Sequence, residues 1–322
     1  MSKIIGRLQS LGLAIEATQG SAEASPDVYL PFTDGTMIDD KHENKPIESA
    51  RSRREMDIDS RKGKVWSEGP VNIDLDVVNS GFLFKLALGN EQYTAGTPDQ
   101  HLFYTSVSGN TPLTATLWRD RDTDVRKYVG CAIDTLEVAF EAGEDVNLAT
   151  ITAGFIGEDG APEGGLTPVT TSGTVLTSAD CVAKFGTTLA AASSASATPL
   201  NSFNLSIANN LLPLFQSGAN DPRTIMNQGL KVSGSYVRFH EDEVERNKFL
   251  ALTKNAMEVT FTGNANEQVQ IRLASIRLDD SPVEAGLDDL LVSTGTFTAE
   301  LDTAQVPNQI DVRVDNDKSE VY

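Results

Sequence analysis

Hydrophobic and polar residues alternate along much of the chain, which predicts β-strands because successive side chains of a strand point to opposite faces. The clearest run covers residues 71–77. Its apolar positions are Val71, Ile73, Leu75 and Val77. Asp74 and Asp76 fall between them. We therefore expect a half-buried strand whose polar face is acidic.

A short helix is predicted after this strand, because the apolar spacing changes. Phe82, Leu83, Leu86 and Ala87 follow one another at helical spacing. Asn79 and Ser80 can cap the start of this helix, and Gly89 can end it. The same order recurs later, where a strand over 230–239 precedes a helix predicted over 241–252. Val244, Phe249 and Leu252 are expected to face inward from that helix.

The remaining alternating runs extend the β pattern along both halves of the chain. Further strands are predicted over 29–32, 102–107, 113–118, 125–129, 133–140 and 146–155, and then over 203–207, 257–261, 269–278, 290–301 and 310–314. The expected class is mainly β, with antiparallel sheets and one helix in each half.

Two stretches of the sequence read as copies of one unit. Ile133, Phe140 and Glu141 recur as Ile276, Val283 and Glu284, each 143 positions later, and in both stretches the strand pattern is broken at a glycine. Internal repeats fix an architecture. We expect two tandem antiparallel β-sandwich or barrel domains, each with one flanking α-helix. The first would cover 1–162 and the second 163–322, with the boundary in the Gly-rich stretch near 160–165.

Two segments lack the regular spacing of apolar residues that predicts a core strand or helix. Residues 1–27 show no clear period and are predicted to form an arm more than a core element. Residues 37–64 are rich in charged residues and offer little to a core, so they predict either a solvated loop or a contact arm. The basic residues of the second segment stand out on an otherwise acidic chain.

Charge and cysteine content limit the function classes. The chain has 322 residues, a formal net charge of -20 and a pI near 4.5. This acidity argues against a protein that holds nucleic acid, because such binding relies on neutralising phosphates with Lys and Arg, although an acidic surface can still function beside DNA. Cys131 and Cys181 are the only cysteines and predict buried thiols more than a disulfide. No stretch has the ~20 apolar residues of a membrane span. Polar residues within 4–17 argue against a secretory signal, so synthesis in the cytoplasm is expected.

No motif in the chain indicates catalysis or a cofactor. His42, His101 and His240 lie far apart in sequence and are expected at the surface. Acidic residues after His240 fit the capping of a helix. The spacing of Asp120, Asp122 and Asp124 matches the first ligands of a calcium loop. Such a loop needs Gly at position six and Glu at position twelve, where this chain has Val125 and Cys131. A hairpin turn is predicted instead, and the protein is not expected to be an enzyme.

The order of several short motifs resembles tail tube (major tail) proteins of long-tailed bacteriophages. The motifs are Glu16-Ala17-Thr18-Gln19-Gly20-Ser21-Ala22, Tyr29-Leu30-Pro31-Phe32, a basic stretch around 51–54, the strand that begins Gly69-Pro70-Val71, and the helix that ends Leu86-Ala87-Leu88-Gly89. In the second half, Phe249-Leu250-Ala251-Leu252 and Met257-Glu258-Val259-Thr260-Phe261 follow in the same order. Nearly the whole chain is covered.

This resemblance implies a structural virion protein of the phage tail, whose rings stack into the tube through which DNA passes into the host. Family members build a ring from six copies of one β-sandwich domain with a flanking helix. A duplicated chain would then form trimers with pseudo-sixfold symmetry. The resemblance also implies a tape measure protein and a tail terminator as partners. DNA would pass through the lumen without specific binding, and no membrane or cofactor is involved. Tubes of contractile tails and of type VI secretion have a similar domain.

Two sets of functional residues follow from this reading. The arm at 37–64 matches a long family loop that reaches an adjacent ring, and its expected contact residues are Arg51, Arg53, Arg54, Arg61 and Lys62. Carboxylates that line a lumen would repel DNA. The residues expected to line it are Asp74, Asp76, Asp134 and Glu137.

A second function class uses the same β-rich fold. The chain could be a carbohydrate- or receptor-binding β-sandwich module on a virion surface, with Trp66 and Trp118 as stacking platforms. Tryptophans are more often core or interface residues, which favours the tube. A hydrolase with an unrecognised site has no motif in its support.

Overall fold

The protein is described from a computed structural model. The structure describes residues 9–33, 37–47, 59–105, 109, 111–122, 124–142, 146–158, 160–169, 173–240, 243–264, 267–284, 291–302 and 308–322.

The protein is mainly β, as predicted, and its described sheets are antiparallel. The first-half strands are β1 (Ser10–Ile15), β2 (Val28–Leu30), β3 (Asp39–Ile47), β4 (Asp59–Asp74), β5 (Gly89–Thr94), β6 (Asp99–Thr105), β7 (Ala115–Asp120), β8 (Val125–Glu141), β9 (Thr150–Gly157) and β10 (Ala161–Pro162). The second-half strands are β11 (Cys181–Gly186), β12 (Ser202–Ala208), β13 (Leu211–Leu214), β14 (Thr224–Asn227), β15 (Lys231–Phe239), β16 (Asn255–Thr262), β17 (Gln268–Asp280), β18 (Val283–Glu284), β19 (Val292–Ala299) and β20 (Ile310–Asn316). The α-helices are α1 (Ser80–Leu88), α2 (Leu189–Ser194) and α3 (Val244–Leu250).

One continuous run of strands crosses both halves of the chain. Its order is β4–β9–β8–β12–β15–β19, and every neighbouring pair is antiparallel. We call this run the long sheet. The halves meet where β8 pairs with β12, and a second link pairs β20 with β6. The two halves therefore share hydrogen-bonded sheets. The proposed division into 1–162 and 163–322 stays a prediction.

The longest strand of each half passes from one sheet to another. The start of β8 pairs with β7, while its end pairs with β9 in the long sheet. The start of β17 pairs with β16, and its end pairs with β19. Both strands carry a bulge against the long-sheet partner, at Ile133/Thr135 and at Leu278/Asp280. The strand order β7–β8–β9–β4 of the first half therefore matches the order β16–β17–β19–β15 of the second half. In the sequence, α1 follows β4 and α3 follows β15.

Helix α1 lies in the hydrophobic core. All of its residues except Lys85 are buried. Gly89 ends the helix as predicted, with a left-handed φ of 89° and its N–H donating to the Lys85 carbonyl. Asn79 occupies the N-cap position without a capping bond from its side chain. Asp76 supplies the cap instead, because its Oδ1 accepts from the backbone N–H groups of Val78 and Asn79.

The two other helices depart from the expected pattern. The structure adds α2, in an Ala- and Ser-rich stretch where no helix was predicted. Helix α3 lies within the predicted 241–252, and Phe249 packs against the core. The inward orientation predicted for Val244 and Leu252 is wrong, because they are 47% and 66% exposed. Leu250 is 67% exposed as well.

The N-terminal segment is a core element, contrary to the arm expected over 1–27. Strand β1 pairs with both β2 and β7, and Leu11 and Leu13 are fully buried. Just after β1, the Glu16 carboxylate accepts hydrogen bonds from the Thr114 and Thr116 hydroxyls and from the Gly130 N–H. Residues 1–8 lie outside the described part of the chain.

The charged segment 37–64 is a β-ribbon, and the prediction of an unstructured loop is wrong where the structure describes it. Strand β3 pairs with the first part of β4, from Asp39 opposite Glu68 to Ile47 opposite Asp59. Most of these residues are exposed. Residues 48–58, which connect β3 to β4 in the sequence, are not among those described.

Candidate functional site

The outer face of the long sheet carries two continuous rows of small polar side chains. The strand register aligns Asn72, Thr152, Glu137, Ser206, Ser233, Thr298 and Arg277 in the first row. It aligns Asp74, Thr150, Ala139, Asn204, Ser235, Thr296 and Asp280 in the second. We call this surface the polar face. Its residues are partly or fully exposed because the alternate positions of each strand point into the core.

Two of the four residues predicted to line a lumen lie in these rows. Glu137 is exposed between Thr152 and Ser206, and Asp74 is half-buried beside Thr150. Serine, threonine and asparagine outnumber the carboxylates in both rows. The face is therefore rich in hydroxyl groups and carries few charges, of which three are acidic (Glu137, Asp74 and Asp280) and one is basic (Arg277). The sequence alone did not predict these rows of hydroxyl groups, because the lining residues were chosen among the acidic residues of single strands.

Asp76 does not belong to the polar face, and its predicted exposure is wrong. Its side chain is 1% exposed, and its Oδ2 accepts from Asn79 Nδ2 at 2.9 Å. Burial raises the pKa of Asp76, although hydrogen bonds from Asn79 and Val78 act in the opposite direction. Strand β4 ends at Asp74, so the alternation no longer governs Asp76. This carboxylate holds the start of α1.

The Asp134 carboxylate accepts a hydrogen bond that has a structural role. It lies half-buried at the bulge of β8. Its Oδ1 accepts from the Leu211 N–H at 2.7 Å, and its carbonyl accepts from the Asn209 N–H at 2.8 Å. These bonds tie the end of β12 to β8. Asp134 positions a chain connection, so Glu137 and Asp74 are the two predicted acids that remain for a lining role.

A buried arginine fixes the base of the ribbon. Arg119 is 2% exposed and lies 2.7 Å from carboxylate oxygens of both Asp39 and Asp124. It also donates to the Ile38 carbonyl. Arg126 adds an ion pair to Asp40 at 3.0 Å. The sequence marks Arg119 only as one charged residue in an apolar strand, so its role was not predicted. It joins β3 to the hairpin of β7 and β8.

The second half also contacts the base of the ribbon. The Val65 N–H donates to the Asn220 carbonyl at 2.9 Å, and Lys64 Nζ lies 4.4 Å from the centre of the Phe215 ring. Both partners come from the loop between β13 and β14. The hairpin of β13 and β14 is much shorter than the ribbon. It supports the ribbon of its own chain.

The five residues predicted to contact an adjacent ring divide into two groups. Arg61 and Lys62 are exposed on β4, opposite Lys45 and Asn44. Arg51, Arg53 and Arg54 lie outside the described residues. The part of the ribbon that is described exposes a basic cluster on a protein of net charge -20.

The histidines are not all at the surface. His101 is fully buried, and its Nδ1 lies 2.7 Å from Glu91 Oε1. Lys85 lies 3.1 Å from the other oxygen of Glu91. Burial acts to raise the pKa of Glu91, but hydrogen bonds from His101 and Lys85 outweigh it and lower this pKa. The contacts of this cluster join β5, β6 and α1.

The two tryptophans do not form a pair of sugar-binding platforms. Trp118 is 1% exposed, with Lys127 Nζ 5.0 Å from the centre of its ring. Trp66 is half-buried, and its indole N–H donates to Glu68 Oε2 at 2.9 Å. A buried indole cannot stack on a glycan. This burial removes one of the two residues on which the carbohydrate-binding alternative depended.

A group of acidic residues lies near Gly130 of β8. Glu158 lies beside Glu16 and Asp221. Burial, followed by repulsion from these two acids, raises the pKa of Glu158 to about 7. Among the residues the structure describes, no three metal-binding side chains come together. Within the same residues, no helix is both long and apolar enough to cross a bilayer.

Comparison with known families gives a match. The model of the family described as phage tail tube protein matches residues 6–306. No curated protein matches the chain. The family match covers both halves, including the long sheet, the ribbon and all three helices.

Proposed function

This chain belongs to the phage tail tube protein family, and on that premise we propose that its copies close into rings whose stacking forms a hollow tail tube. The observation that carries this proposal is the long sheet. It buries one face in the core and presents two rows of small polar residues on the other. Such a sheet, extended by neighbouring copies, makes a cylinder wall with a polar lining.

We infer that three chains form one ring with pseudo-sixfold symmetry. Each half contributes a comparable set of strands, in the order β4–β9–β8 and β15–β19–β17. The repeated bulge in β8 and β17 supports the reading of a duplicated unit. Closure also has a physical benefit, because open sheet edges promote uncontrolled association and a closed ring has none.

The polar face fits a lumen for DNA. Double-stranded DNA carries one charge per ~1.7 Å of axis, and proteins hold it chiefly through Lys and Arg. Arg277 is the only basic residue in the two rows, and it is paired with Asp279 and Glu300. Glu137 and Asp74 repel phosphates. Hydroxyl groups between them keep the wall wetted, so the genome passes without sticking.

The ribbon fits the role of a contact between stacked rings. Its base is held by Arg119, while its exposed strands extend beyond the core. The basic residues Arg61 and Lys62, with Arg51, Arg53 and Arg54 in the same segment, would meet acidic surface of the next ring. Charge complementarity of this kind sets register more than affinity. Because only the first half has a long ribbon, this contact would be threefold.

The tail of the virion is the site of action. Tube assembly would take place in the host cytoplasm, with a tape measure protein setting length and a tail terminator closing the end. Electron microscopy of the concentrated protein tests the function. Hollow tubes are expected. Particles that stay single at every concentration and bind glycans would favour the surface-binding module instead.

A further inference from the structure

Residues 317–322 run from the end of β20 in the second half to helix α1 of the first half, and we call them the strap. The strap is exposed along most of its length, but Tyr322 is only 7% exposed. The Tyr322 ring lies 4.9 Å from the Phe82 ring and 5.6 Å from the Phe103 ring, edge to face in both cases. Gly81 has no side chain and leaves room for the Tyr322 ring. The strap therefore has an apolar anchor on α1.

A polar cluster on β5, β6 and α1 holds the backbone of the strap. His101 Nε2 lies 3.0 Å from the Lys318 carbonyl. The Tyr322 N–H donates to Glu91 Oε2 at 2.9 Å, and Lys85 Nζ donates to the Tyr322 carbonyl. The strap is thus tied to the first half by both its apolar anchor and this cluster.

His101 makes two polar contacts that can both be hydrogen bonds only if its ring carries two protons. Nδ1 lies 2.7 Å from Glu91 Oε1, and Nε2 lies 3.0 Å from the Lys318 carbonyl. A carbonyl only accepts hydrogen bonds, and so does an ionised carboxylate, whereas a neutral imidazole has a single N–H. A neutral ring would leave one unprotonated nitrogen facing an acceptor oxygen. That arrangement is unfavourable for His101, which is 0% exposed.

The surroundings of Glu91 keep its carboxylate ionised. Its Oε2 lies 3.1 Å from Lys85 Nζ and also accepts the Tyr322 N–H. Burial acts to raise the pKa of Glu91, but hydrogen bonds from His101 and Lys85 outweigh it and hold this pKa below its usual value. An ionised carboxylate in direct contact with a histidine favours the charged ring.

Charged and titratable groups face the His101 ring from several elements packed against it. Glu91 on β5 contacts the ring directly and favours its charge, whereas Lys85 on α1 contacts the other oxygen of that carboxylate and opposes it. On β20, the residue opposite His101 is Val314, which is apolar. The other titratable groups are Tyr93, whose ring centre is 5.2 Å away, Asp99, which accepts from the Tyr93 hydroxyl, and Lys318 and Tyr322 of the strap.

We propose that His101 carries two protons in the folded protein and that this imidazolium is a pH-sensitive latch for the strap. When the ring loses one proton, it can no longer donate to both Glu91 and the Lys318 carbonyl. Because the folded site favours the charged ring, the latch contributes stability at low pH and loses it as the pH rises. Opening of the latch frees the strap from β5 and β6. The latch acts within one chain and does not depend on the proposed ring.

The protonation of the His101 ring can be measured directly. In proton–nitrogen correlation spectra of the nitrogen-labelled full chain, both His101 ring nitrogens should be protonated at pH ~6 and only one at pH ~9. Hydrogen exchange of residues 317–322, corrected for the intrinsic exchange rate, should be at least tenfold slower at pH ~6 than at pH ~9. A neutral His101 ring at the lower pH, or equal protection of the strap at both, would overturn the latch.

The variant H101Q tests whether the ring controls the strap. A glutamine amide does not titrate in this range, so strap exchange in H101Q should be independent of pH and at least tenfold faster than in wild type at pH ~6. H42Q changes an exposed histidine of the ribbon and should keep the wild-type pH dependence. Strap exchange in H101Q that follows the wild-type profile would remove the role of His101. The ring-nitrogen measurement on wild type tests the latch even where H101Q does not fold.

Discussion

Phe140 of β8 and Phe203 of β12 lie with ring centroids 6.1 Å apart, and this contact joins the two halves in one core. Phe140 also meets Phe261 at 5.8 Å, edge to face. A chain of two independent domains would not bury its largest side chains at their junction. The halves are therefore expected to unfold together.

F203A tests this cooperativity. Removal of a buried phenylalanine costs about 3–5 kcal/mol in cores, so the variant should lose that much stability in a single transition. Urea unfolding followed by circular dichroism and by tryptophan fluorescence measures it, since both tryptophans lie in the first half. V182A serves as the exposed control. Loss of second-half signal with an unchanged fluorescence transition would contradict a shared core.

Glu158 makes stability depend on pH. Its pKa is about 7 in the folded protein and near 4.5 as the reference for the unfolded chain. Between these values the folded state holds a proton that the unfolded state has released, so stability falls as pH rises from 4.5 to 7. The substitution E158Q removes this pH-dependent loss of stability. Its Tm should exceed that of wild type above pH 7, and the difference should vanish below pH 4.5. Parallel Tm profiles would contradict the raised pKa.

The lining role of the polar face is tested by charge reversal at two of its positions, one exposed and one half-buried. D74K/E137K should assemble normally, because both side chains lie outside the core. The added lysines would bind phosphates, so DNA ejection from virions with this tube should slow at least tenfold at low salt and recover at high salt. D74N/E137Q removes charge without adding any and serves as control. Ejection at the wild-type rate would place these residues away from the lumen.

Charge reversal in the ribbon separates stacking from ring closure. R51E/R53E/R54E together with R61E should leave folding and single rings intact, because Arg61 is solvent-exposed. Tubes should be absent or much shorter by electron microscopy. K184E on β11 is the control for a change of charge on another surface. Tubes of normal length from the ribbon variant would remove its role in stacking.

Period-two alternation predicted most of the strands, because burial of one face is a local property of sequence. The alternation gave a wrong prediction of exposure at Asp76, because β4 ends at Asp74 and the Asp76 carboxylate caps the following helix. It also could not identify β1, because Gly12 and the polar residues after Ile15 hide the two buried leucines. The ribbon was missed for a different reason. Both of its strands are exposed, so neither carries an apolar pattern.

The candidate site was predictable only in part, because it is built across strands. Glu137 and Asp74 could be chosen as polar-face residues from their own strands. Their alignment with Ser206 and Thr150 depends on register between distant segments. Arg119 and His101 are both buried, and the residues that they contact lie on other strands.

The symmetry of an assembled ring tests the central claim most directly. Electron cryo-microscopy of the tubes should show three chains per ring, in which six similar four-stranded units alternate between joints within a chain and joints between chains. A ring of six chains, or a wall in which the two halves of one chain take unrelated positions, would contradict the account.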